Sequence, residues 1–500
     1  MMGAGEFIDW LIEPLAPEMV ARRIAARAAV ASLRQYDVAA AGRRTQGWNR
    51  PATNADSENY RALGTVRNSV RDLVRNNPPA AAALHRYAAD VVGAGIAVHC
   101  DHKTSFIRRR AQDAFDRWAE AKNCGEVDFY EHQKLAVRGI VESGEVIGRW
   151  MPDDKGPDGR LIGLEADYLD MMRTMPTEDG GKIVQGVQFD KDNQRVAYWL
   201  FPSHPGDVLF APRQWSEPID ARDIDHAYER LRFGQTRGVS MLAPVAMALR
   251  DLADTRDALR MKEKVQACIA LIINPPDGQN ASRLTTESQQ QAGSPGIETL
   301  RPGMIFRTQN GETTQTLVPA QSSGGVEFVR QELMQVAACL APYYAISGDA
   351  SQSSYTAHRA LLMAHYGRLD DFQSHVIESH VLRNAFERRM RRMAIETGDP
   401  RFLEVRVRWS YPQRRAVDPV KDLMAEIMEI RSGLKSLGKA LRDRGIDADT
   451  HFAELGRIND LLDTYKLALD SDPRKLSDQG IAQPLTSVLG NIQKDAATAA

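Results

Sequence analysis

Residues that could do chemistry are scattered along the chain instead of grouped at the spacing of a catalytic or metal site. The four cysteines form no CxxC pair, so neither a disulfide framework nor a zinc site is expected, and all four should be reduced thiols. They are Cys100, Cys124, Cys268 and Cys339. The cysteine content therefore indicates no redox or metal chemistry.

The histidine and carboxylate pairs also indicate no metal or catalytic site. His358 and His365 are seven residues apart and no HExxH is present, so surface or interface histidines are expected in place of a metal site. Asp370 and Asp371 are adjacent, and adjacent helical positions point about 100° apart, so a carboxylate pair sharing one proton is not expected.

Phosphate-binding and nucleophile motifs are incomplete. The chain has no GxxxxGK[ST] loop, and the glycines at 180 and 181 lack its spacing, so no ATP-driven motor is expected. Gly93 and Gly95 lack the third glycine of a dinucleotide fingerprint and read as a helix stop. Ser240 lacks the last glycine of GxSxG and is expected to cap a helix. No enzyme activity and no cofactor are predicted.

Length and charge set the broad class. The chain has 500 residues, 43% hydrophobic and 26% charged, which predicts a globular protein of two to four subdomains. No apolar run approaches the ~18 residues of a membrane span, so no membrane contact is expected. The net charge is −2, whereas a protein that grips DNA phosphates usually carries a basic excess. Any DNA contact should be transient or sliding.

One small, polar segment lies between two predicted helices. Before it, Val329, Leu333, Val336 and Leu340 recur at helical spacing, and Pro342 ends that helix. After it, Ser353 or Ser354 is expected to cap a long helix over residues 356–397. The apolar residues of that helix are Leu362, Tyr366, Leu369, Phe372, Val376, Leu382, Phe386, Met390 and Met393.

A second helix is predicted to pair with the first of these. It begins near Gly238, and its apolar residues are Leu242, Val245, Leu249, Leu252 and Leu259. The favoured partner is residues 326–340. Between the two helices, residues 269–273 and 304–308 predict short strands, and residues 288–296 predict an exposed loop.

Further elements are predicted on both sides of this pair. Residues 67–77, 80–92 and 107–121 should be helices, and 128–150 a helix turning into a strand. Strands are predicted at 183–189 and 195–201, joined by a hairpin, and also at 223–228 and 402–409. Another helix should begin at Val417, with a stripe of Leu423, Ile427, Ile430 and Leu434. Residues 22–50 hold seven arginines and one acid, which predicts a basic arm on the surface or one that grips a neighbouring subunit or nucleic acid.

The stretch FVRQELMQVAACLAPYYAISGDASQSSYTAHR at residues 328–359 resembles the signature of the lambda-type tailed-phage portal proteins. RNSVRDLVRNNP at 67–78 and GVSMLAP at 238–244 are similar to further segments of that family. The order helix, small β-containing excursion, helix, loop, long helix matches what the family calls stem, clip, stem, tunnel loop and wing helix. The resemblance implies an α+β, portal-like fold with an α/β wing and a C-terminal helical crown.

The domain boundaries implied by this resemblance run along the whole chain. They are a basic N-terminal arm and linker at 1–60, the first part of the wing at 61–237, a stem helix at 238–270, the clip at 271–325, the second stem helix at 326–344, the tunnel loop at 345–355, the wing long helix and return strand at 356–416, the helical crown at 417–470 and a disordered tail at 471–500.

The resemblance also implies a function. A ring of about twelve copies would sit at one capsid vertex and conduct double-stranded DNA during packaging and ejection. Its partners would be the terminase large subunit, the major capsid and scaffold proteins and head-completion or adaptor proteins. The protein would assemble in the host cytoplasm and remain in the virion. Two alternatives stay open: a capsid or adaptor subunit without a DNA channel, and a DNA-binding or DNA-processing protein.

Two groups of residues are candidate functional residues. The channel would be narrowest at the tunnel loop, formed by Ser347, Gly348, Asp349, Ala350, Ser351, Gln352, Ser353, Ser354 and Tyr355. Contacts with DNA or a neighbouring subunit are expected from a basic cluster at the end of the long helix, formed by Arg388, Arg389, Arg391 and Arg392.

Overall fold

The chain divides into two compact units, Met1–Asn54 and Ala55–Ala500. A computed structural model describes residues 18–20, 22–23, 47, 51–151, 159–207, 215–267, 270–274, 313–317, 325–349, 354–414, 418–446 and 448–467. In the first unit, residues 18–20 and 22–23 are helical. Most of the predicted basic arm and the predicted tail lie outside the described residues, as do residues 288–296.

The second unit combines helices with antiparallel sheets, which confirms the α+β prediction. Its helices are α1 Ala55–Asn59, α2 Leu63–Asn76, α3 Pro78–Val92, α4 Ser105–Glu120, α5 Phe129–Ser143, α6 Ala246–Ala267, α7 Gly325–Cys339, α8 Tyr343–Ser347, α9 Tyr355–Phe372, α10 Arg383–Thr397, α11 Pro419–Arg431, α12 Leu437–Asp443 and α13 Ala448–Tyr465. Its strands are β1 Ala97–Asp101, β2 Glu145–Trp150, β3 Leu161–Glu165, β4 Met175–Pro176, β5 Lys182–Val184, β6 Val187–Phe189, β7 Arg195–Leu200, β8 Glu217–Asp220, β9 Ile224–Tyr228, β10 Ala270–Asn274, β11 Thr313–Leu317 and β12 Arg406–Ser410.

The junction between α2 and α3 follows from the Asn-Pro sequence. Proline lacks the amide hydrogen that a helix interior needs, so α2 stops before Pro78 and α3 starts there. The side chain of Asn77 accepts a hydrogen bond from the backbone N–H of Ala80 at 3.3 Å. Its Nδ2 also donates to the backbone carbonyl of Leu249 in α6 at 2.9 Å. One residue thus caps a helix and joins it to another.

Helices α3, α4 and α5 form the body of the unit around a cluster of aromatic residues. The ring of Phe115 lies 6.0 Å from Phe129 and 5.8 Å from Phe386, and Trp118 lies 5.0 Å from Phe129. Tyr87, Leu84 and Val91 of α3 are fully buried. Because Phe386 belongs to α10, this core attaches the end of the long helix to the body.

The strands form four antiparallel sheets. Their orders are β3-β2-β9, β4-β5-β6-β7-β8, β1-β12 and β10-β11. The hairpin predicted after residue 189 is confirmed by the pairing of β6 with β7. The single strand predicted at 183–189 is wrong, because the chain turns at Gln185 and Gly186 and β5 pairs back on β6. Gly186 has φ of +86°, and a Cβ there would lie 2.6 Å from the carbonyl oxygen of Asp170.

The predicted pairing of two helices around a β-containing excursion is confirmed. Apolar residues of α6, including Leu249 and Leu252, join one core with Leu333 and Val336 of α7. After α6, β10 pairs with β11 so that Ala270 faces Leu317. The first predicted strand, 269–273, is confirmed. The second, 304–308, lies outside the described residues, and the partner strand, Thr313–Leu317, was not predicted.

Helices α9 and α10 are joined into one long helix by a π-helical segment, Gln373–Leu382. The predicted long helix is confirmed, but its regular α-helical course is not. Within the segment, Val376 and Val381 are buried, and so are Ile377 and Leu382. Residues five apart share a face only in a π-helix, whose hydrogen bonds join i to i+5. No helix among the described residues has the length and hydropathy needed to cross a bilayer.

After the long helix, the described part of the chain returns to the body in β12 and then forms α11, α12 and α13. The strand predicted at 402–409 begins later, because Pro400–Glu404 is a 3-10 helix in which Phe402 is buried; β12 then pairs with β1. Asp418 caps α11 by accepting from the backbone N–H of Lys421. Leu423, Ile427 and Ile430 of the predicted stripe lie in α11, but Leu434 does not, because the helix ends at Arg431. Leu423, Ile427 and Leu434 are exposed in the single chain.

Candidate functional site: the channel segment and the charged residues around it

The candidate tunnel loop lies between two helix ends with identifiable caps. Gly348 adopts φ of +73° and ends α8, and its N–H donates to the carbonyl of Tyr344 at 3.0 Å. The hydroxyl of Ser347 donates to the carbonyl of Tyr343 at 2.8 Å and accepts from the backbone N–H of Asp349 at 3.1 Å. The loop therefore leaves α8 in a defined direction.

The other end of the loop is equally defined. Ser354, one of two predicted caps, accepts from the backbone N–H of Ala357 at 3.3 Å and starts α9. Tyr355 is half exposed, and Arg359 donates to its hydroxyl oxygen at 3.4 Å. Ala350, Ser351, Gln352 and Ser353 lie outside the described residues.

The two helices that carry the loop contact each other at its base. The ring of Tyr344 in α8 lies 4.5 Å from the ring of His358 in α9. Asp90 of α3 accepts from Arg86 at 2.7 Å and from His365 of α9 at 3.1 Å. Burial alone would raise the pKa of Asp90, but the hydrogen bonds from His365 and Arg86 outweigh it and hold this pKa below its usual range. The ionised carboxylate of Asp90 thus attaches α9 to α3 at His365, ten residues after α9 begins.

Of the candidate basic cluster, Arg388 is used within the chain. Its guanidinium lies over the ring of Trp150, 4.9 Å from the centroid, and it donates to Asp223 Oδ1 at 3.2 Å and to the backbone carbonyl of Arg222. Arg388 therefore attaches α10 to the sheet that contains β2 and to the turn before β9.

The other three arginines differ in exposure. Arg389 is buried, with 9% of its surface exposed, and Arg392 donates to Glu396 at 2.8 Å on the same helix. Arg391 is exposed, at the rim of a cavity of about 190 Å³ next to Trp118 and Trp150. The sequence groups four arginines, but the tertiary structure leaves Arg391 as the member best placed to meet another molecule.

The largest concentration of buried charge was not predicted. Glu145, at the start of β2, has no exposed side-chain surface, and it pairs with both Arg237 and Arg67, which are also buried. It accepts from Arg237 Nε at 2.8 Å, from Arg67 Nη2 at 3.0 Å, from His226 Nε2 at 2.9 Å and from the backbone N–H of Gly238 at 3.0 Å. These residues come from α2, β2, β9 and the segment that leads into α6.

The pKa values of this buried cluster explain its charge state. Burial alone would raise the pKa of Glu145, but the charge of Arg237 and the hydrogen bond from His226 hold it far below its usual range. Burial lowers the pKa of His226 to about 4, against the opposing effect of Glu145. Near neutral pH the cluster therefore contains an ionised Glu145, a neutral His226 and the cations Arg67 and Arg237.

A group of potential metal ligands lies beside this cluster. Glu165, Asp167 and His204 place ligand atoms within 4.8 Å of one another. Arg71 already lies 2.7 Å from Glu165 and 2.6 Å from Asp167, and Arg67 lies 3.1 Å from Asp167. Because these guanidinium groups supply the positive charge that a metal ion would bring, the geometry is that of an ion-pair network.

The cysteines and the serine that could act as nucleophiles have structural surroundings. Burial raises the pKa values of Cys100 and Cys124 to about 12, so neither thiol is activated. Ser240 is buried and donates to the carbonyl of Val141 at 2.8 Å. It accepts from the backbone N–H of Leu242 at 3.1 Å, before a 3-10 turn at Ala243–Val245, so it does not cap α6 as predicted.

The family model and the related sequences point to one protein family. The family model for "Phage portal protein, lambda family" matches residues 41–373. The "Probable portal protein" of Halomonas phage phiHAP-1 is 26% identical over 219 residues, which span 41% of this chain and 42% of that protein. The "Portal protein" of Escherichia phage N15 is 23% identical over 479 residues, spanning 83% of this chain and 87% of that protein. The neck of a native gene transfer agent particle, computed with C12 symmetry, gives a TM-score of 0.42 at 14% identity and covers 80% of this chain and 97% of that chain.

The fold is that of an α+β subunit whose helical hairpin carries a β excursion and leads, through a capped segment, into a long helix. The chain belongs to the lambda family of phage portal proteins, since the family model matches well over half of it. The match includes both helices of the hairpin, the candidate tunnel loop and helix α9. The resemblance drawn from the motifs is confirmed.

Proposed function

We propose that this portal protein forms a closed ring of about twelve copies at one capsid vertex and conducts double-stranded DNA during packaging and ejection. The observation that carries the proposal is the order of elements inside the family match: α6, the β10–β11 pair, α7, the capped segment at residues 347–355, and α9. The mechanism is geometric. Helices surround a channel, and a loop from each subunit lines its narrowest part.

The side-chain composition of the loop is suited to DNA that slides through the channel. Its side chains are small and polar and include one acid, Asp349, so it offers phosphates no cationic grip. Its base is rigid, because α8 and α9 are both capped and touch through Tyr344 and His358. The residues at which the loop joins α8 and α9 are therefore held in place.

Replacing Asp349 with lysine tests this role. A ring of lysines would attract phosphates, so packaging in a reconstituted assay should slow by about tenfold while the mass of the ring stays unchanged. Asp371→Lys is the matched control, since that acid lies on the long helix away from the loop and is 72% exposed. Packaging at the normal rate by the Asp349 variant would count against the proximity of this loop to DNA.

Further roles are proposed for the rest of the chain. The clip, residues 271–325, would dock the terminase large subunit, and head-completion or adaptor proteins would bind after packaging. Major capsid and scaffold proteins would surround the ring, which would assemble in the host cytoplasm and remain in the virion. Arg391 would contact DNA or a neighbouring subunit. The protein would act without catalysis, as a structural conduit.

The decisive experiment is to measure the mass of the purified particle by native mass spectrometry and to image it along its axis. A closed ring of about a dozen copies with a central hole is the expected result. A stable monomer or dimer, unchanged by protein concentration and salt, would overturn the proposal. Closed particles without a hole would favour the second candidate, a capsid or adaptor subunit without a DNA channel.

A further inference from the structure

An apolar knob projects from the segment between β9 and α6. The knob consists of Arg230, Leu231, Arg232 and Phe233. Phe233 is entirely exposed and Leu231 is 67% exposed, so the two neighbouring apolar side chains both face water. An exposed apolar surface of this kind, flanked by charged residues, is typical of a contact with another molecule.

Hydrogen bonds hold the backbone on both sides of Phe233. The buried side chain of Gln235 accepts from the backbone N–H of Leu231 at 2.8 Å and donates to the carbonyl of Arg237 at 2.8 Å. The backbone N–H and hydroxyl of Thr236 donate to Asp56 at 2.8 and 2.7 Å. These hydrogen bonds connect the two ends of the knob to the body, so the knob has a defined conformation.

The knob lines a cavity that contains three arginines, Arg195, Arg230 and Arg232, of which Arg232 pairs with Glu58 at 2.8 Å. Its volume is about 420 Å³, and its lining includes Phe189, Arg195 and Arg230. Arg195 donates to Tyr228 Oη at 2.6 Å and to Tyr198 Oη at 2.9 Å, and its Nη1 lies 3.2 Å from His226 Nδ1. Within the part of the chain that the structure describes, these partners of Arg195 are all neutral.

The positive charges around the cavity also lower the pKa of a nearby histidine. Burial, together with the charges of Arg230 and Arg195, lowers the pKa of His380 to about 4. The cavity is therefore suited to a carboxylate from another molecule.

Protein fits this surface better than DNA. A phosphate backbone would pair with the arginines but would leave Leu231 and Phe233 exposed to water. Aromatic residues and arginine are enriched at the centre of protein interfaces. The position of the knob favours a second copy. Phe233 lies five residues before Gly238, at most about 18 Å along the chain, and Gly238, which donates to Glu145 at 3.0 Å, lies eight residues before the first helix of the hairpin begins at Ala246. Hairpins stand side by side in a ring, so the adjacent copy is the nearest protein.

We infer that the knob of each subunit docks on the neighbouring copy of this chain, which supplies an apolar recess for Phe233 and a carboxylate for the arginine-lined cavity. Such a contact joins two different surfaces, the heterologous type that closes rings. The inference rests on the proposed ring and adds which surface holds neighbouring subunits together.

Photo-crosslinking of the purified full-length protein tests the inference. The photoreactive residue p-benzoylphenylalanine is placed at Phe233, and ring-sized particles are irradiated and separated under denaturing conditions. The expected result is a ladder of covalent multimers, with the crosslinked peptide containing carboxylates. Phe106 is the matched control, as a phenylalanine that is 61% exposed elsewhere on the unit, and it should give no ladder.

Three results would overturn the inference: no ladder from position 233 in intact rings, equal ladders from both positions, or crosslinks to an added 20-base-pair DNA duplex in place of the subunit. If the particle mass showed no ring at all, the proposed function itself would have failed, so the two failures are distinguishable.

A double variant, Leu231→Ser with Phe233→Ser, gives a second readout. Because both side chains are exposed, the thermal midpoint of the dissociated subunit should stay within about 2 °C of the unmodified protein. The subunit concentration at which half of the protein is assembled should rise about tenfold or more. Unchanged assembly by this variant would contradict the inference even if crosslinks formed.

Discussion

The buried Glu145 offers the most informative test of the fold. Replacing it with glutamine preserves the shape of the side chain and removes its charge. The amide can still accept from one or two of the groups around it, but Arg67 and Arg237 would remain at 2% and 1% exposure without their shared counter-charge. Both arginines would then be buried cations with reduced pairing.

The expected cost can be estimated from this geometry. Removing one partner of a buried ion pair typically costs about 3–5 kcal/mol, because a buried charge is left uncompensated. Arg67 keeps a contact with Asp167 at 3.1 Å, whereas the remaining hydrogen bonds of Arg237 go to neutral backbone carbonyls. We therefore expect Glu145→Gln to lower the free energy of unfolding by about 3–5 kcal/mol, with most of the loss at Arg237.

The assay is urea unfolding of the dissociated subunit at pH 7, with Glu165→Gln as the matched control. Glu165 pairs with Arg71 at 2.7 Å but is 61% exposed, so its loss should cost under about 1 kcal/mol. Because the pKa of Glu145 is lower in the folded protein, its stabilisation is present above its usual pKa of 4.5 and is lost as the pH falls through lower values. The difference between the unmodified protein and Glu145→Gln should accordingly shrink below about pH 4.5.

The reasoning would be refuted if Glu145→Gln and Glu165→Gln cost the same at pH 7. It would also be refuted if the effect of Glu145→Gln grew on acidification, since that would mean the carboxyl group is protonated in the folded protein.

Two further variants test local geometry by the same unfolding assay. Asn77→Ala removes both a helix cap and a buried hydrogen bond to the second helix, and should cost about 1–3 kcal/mol; Asn76→Ala, at an exposed position, should cost under about 0.5 kcal/mol. Gly238→Ala would place a Cβ 2.1 Å from the carbonyl oxygen of Gly144 and should cost about 3 kcal/mol or more, whereas Gly456→Ala, with nothing within 4 Å in a helix, should be stabilising by about 0.5–1 kcal/mol. A neutral Gly238→Ala or an equal cost for the two asparagines would contradict these assignments.

Much of the element order could be predicted from local sequence. The Asn-Pro junction at residue 77, the cap at Ser354 and the hairpin after residue 189 all depend on neighbouring residues, whose side chains satisfy or deny nearby backbone groups. The pairing of α6 with α7 followed from the apolar stripe of each helix, since a helix with one narrow apolar seam packs against another helix. These features need no knowledge of distant contacts.

Other features were wrong or missing for a physical reason. Residues 183–189 alternate like one strand, but the close approach of Gly186 to Asp170 turns the chain in the middle. The long helix looked regular, but its apolar residues shift to steps of five within Gln373–Leu382 to keep facing the body. In both cases packing against distant elements overrides the local pattern.

The sequence by itself determined the family, the α+β class, the order of the helical hairpin and the position of the capped segment, because these depend on motifs, periodicity and caps that are local in the chain. The tertiary structure decided which charged side chains are buried and paired and which stay exposed. Arg67, Glu145, His226 and Arg237 meet only after four separate elements pack together, and Arg388 and Arg392 find partners that leave Arg391 exposed. Desolvation and pairing set the role of a charged side chain, and both are properties of the assembled fold.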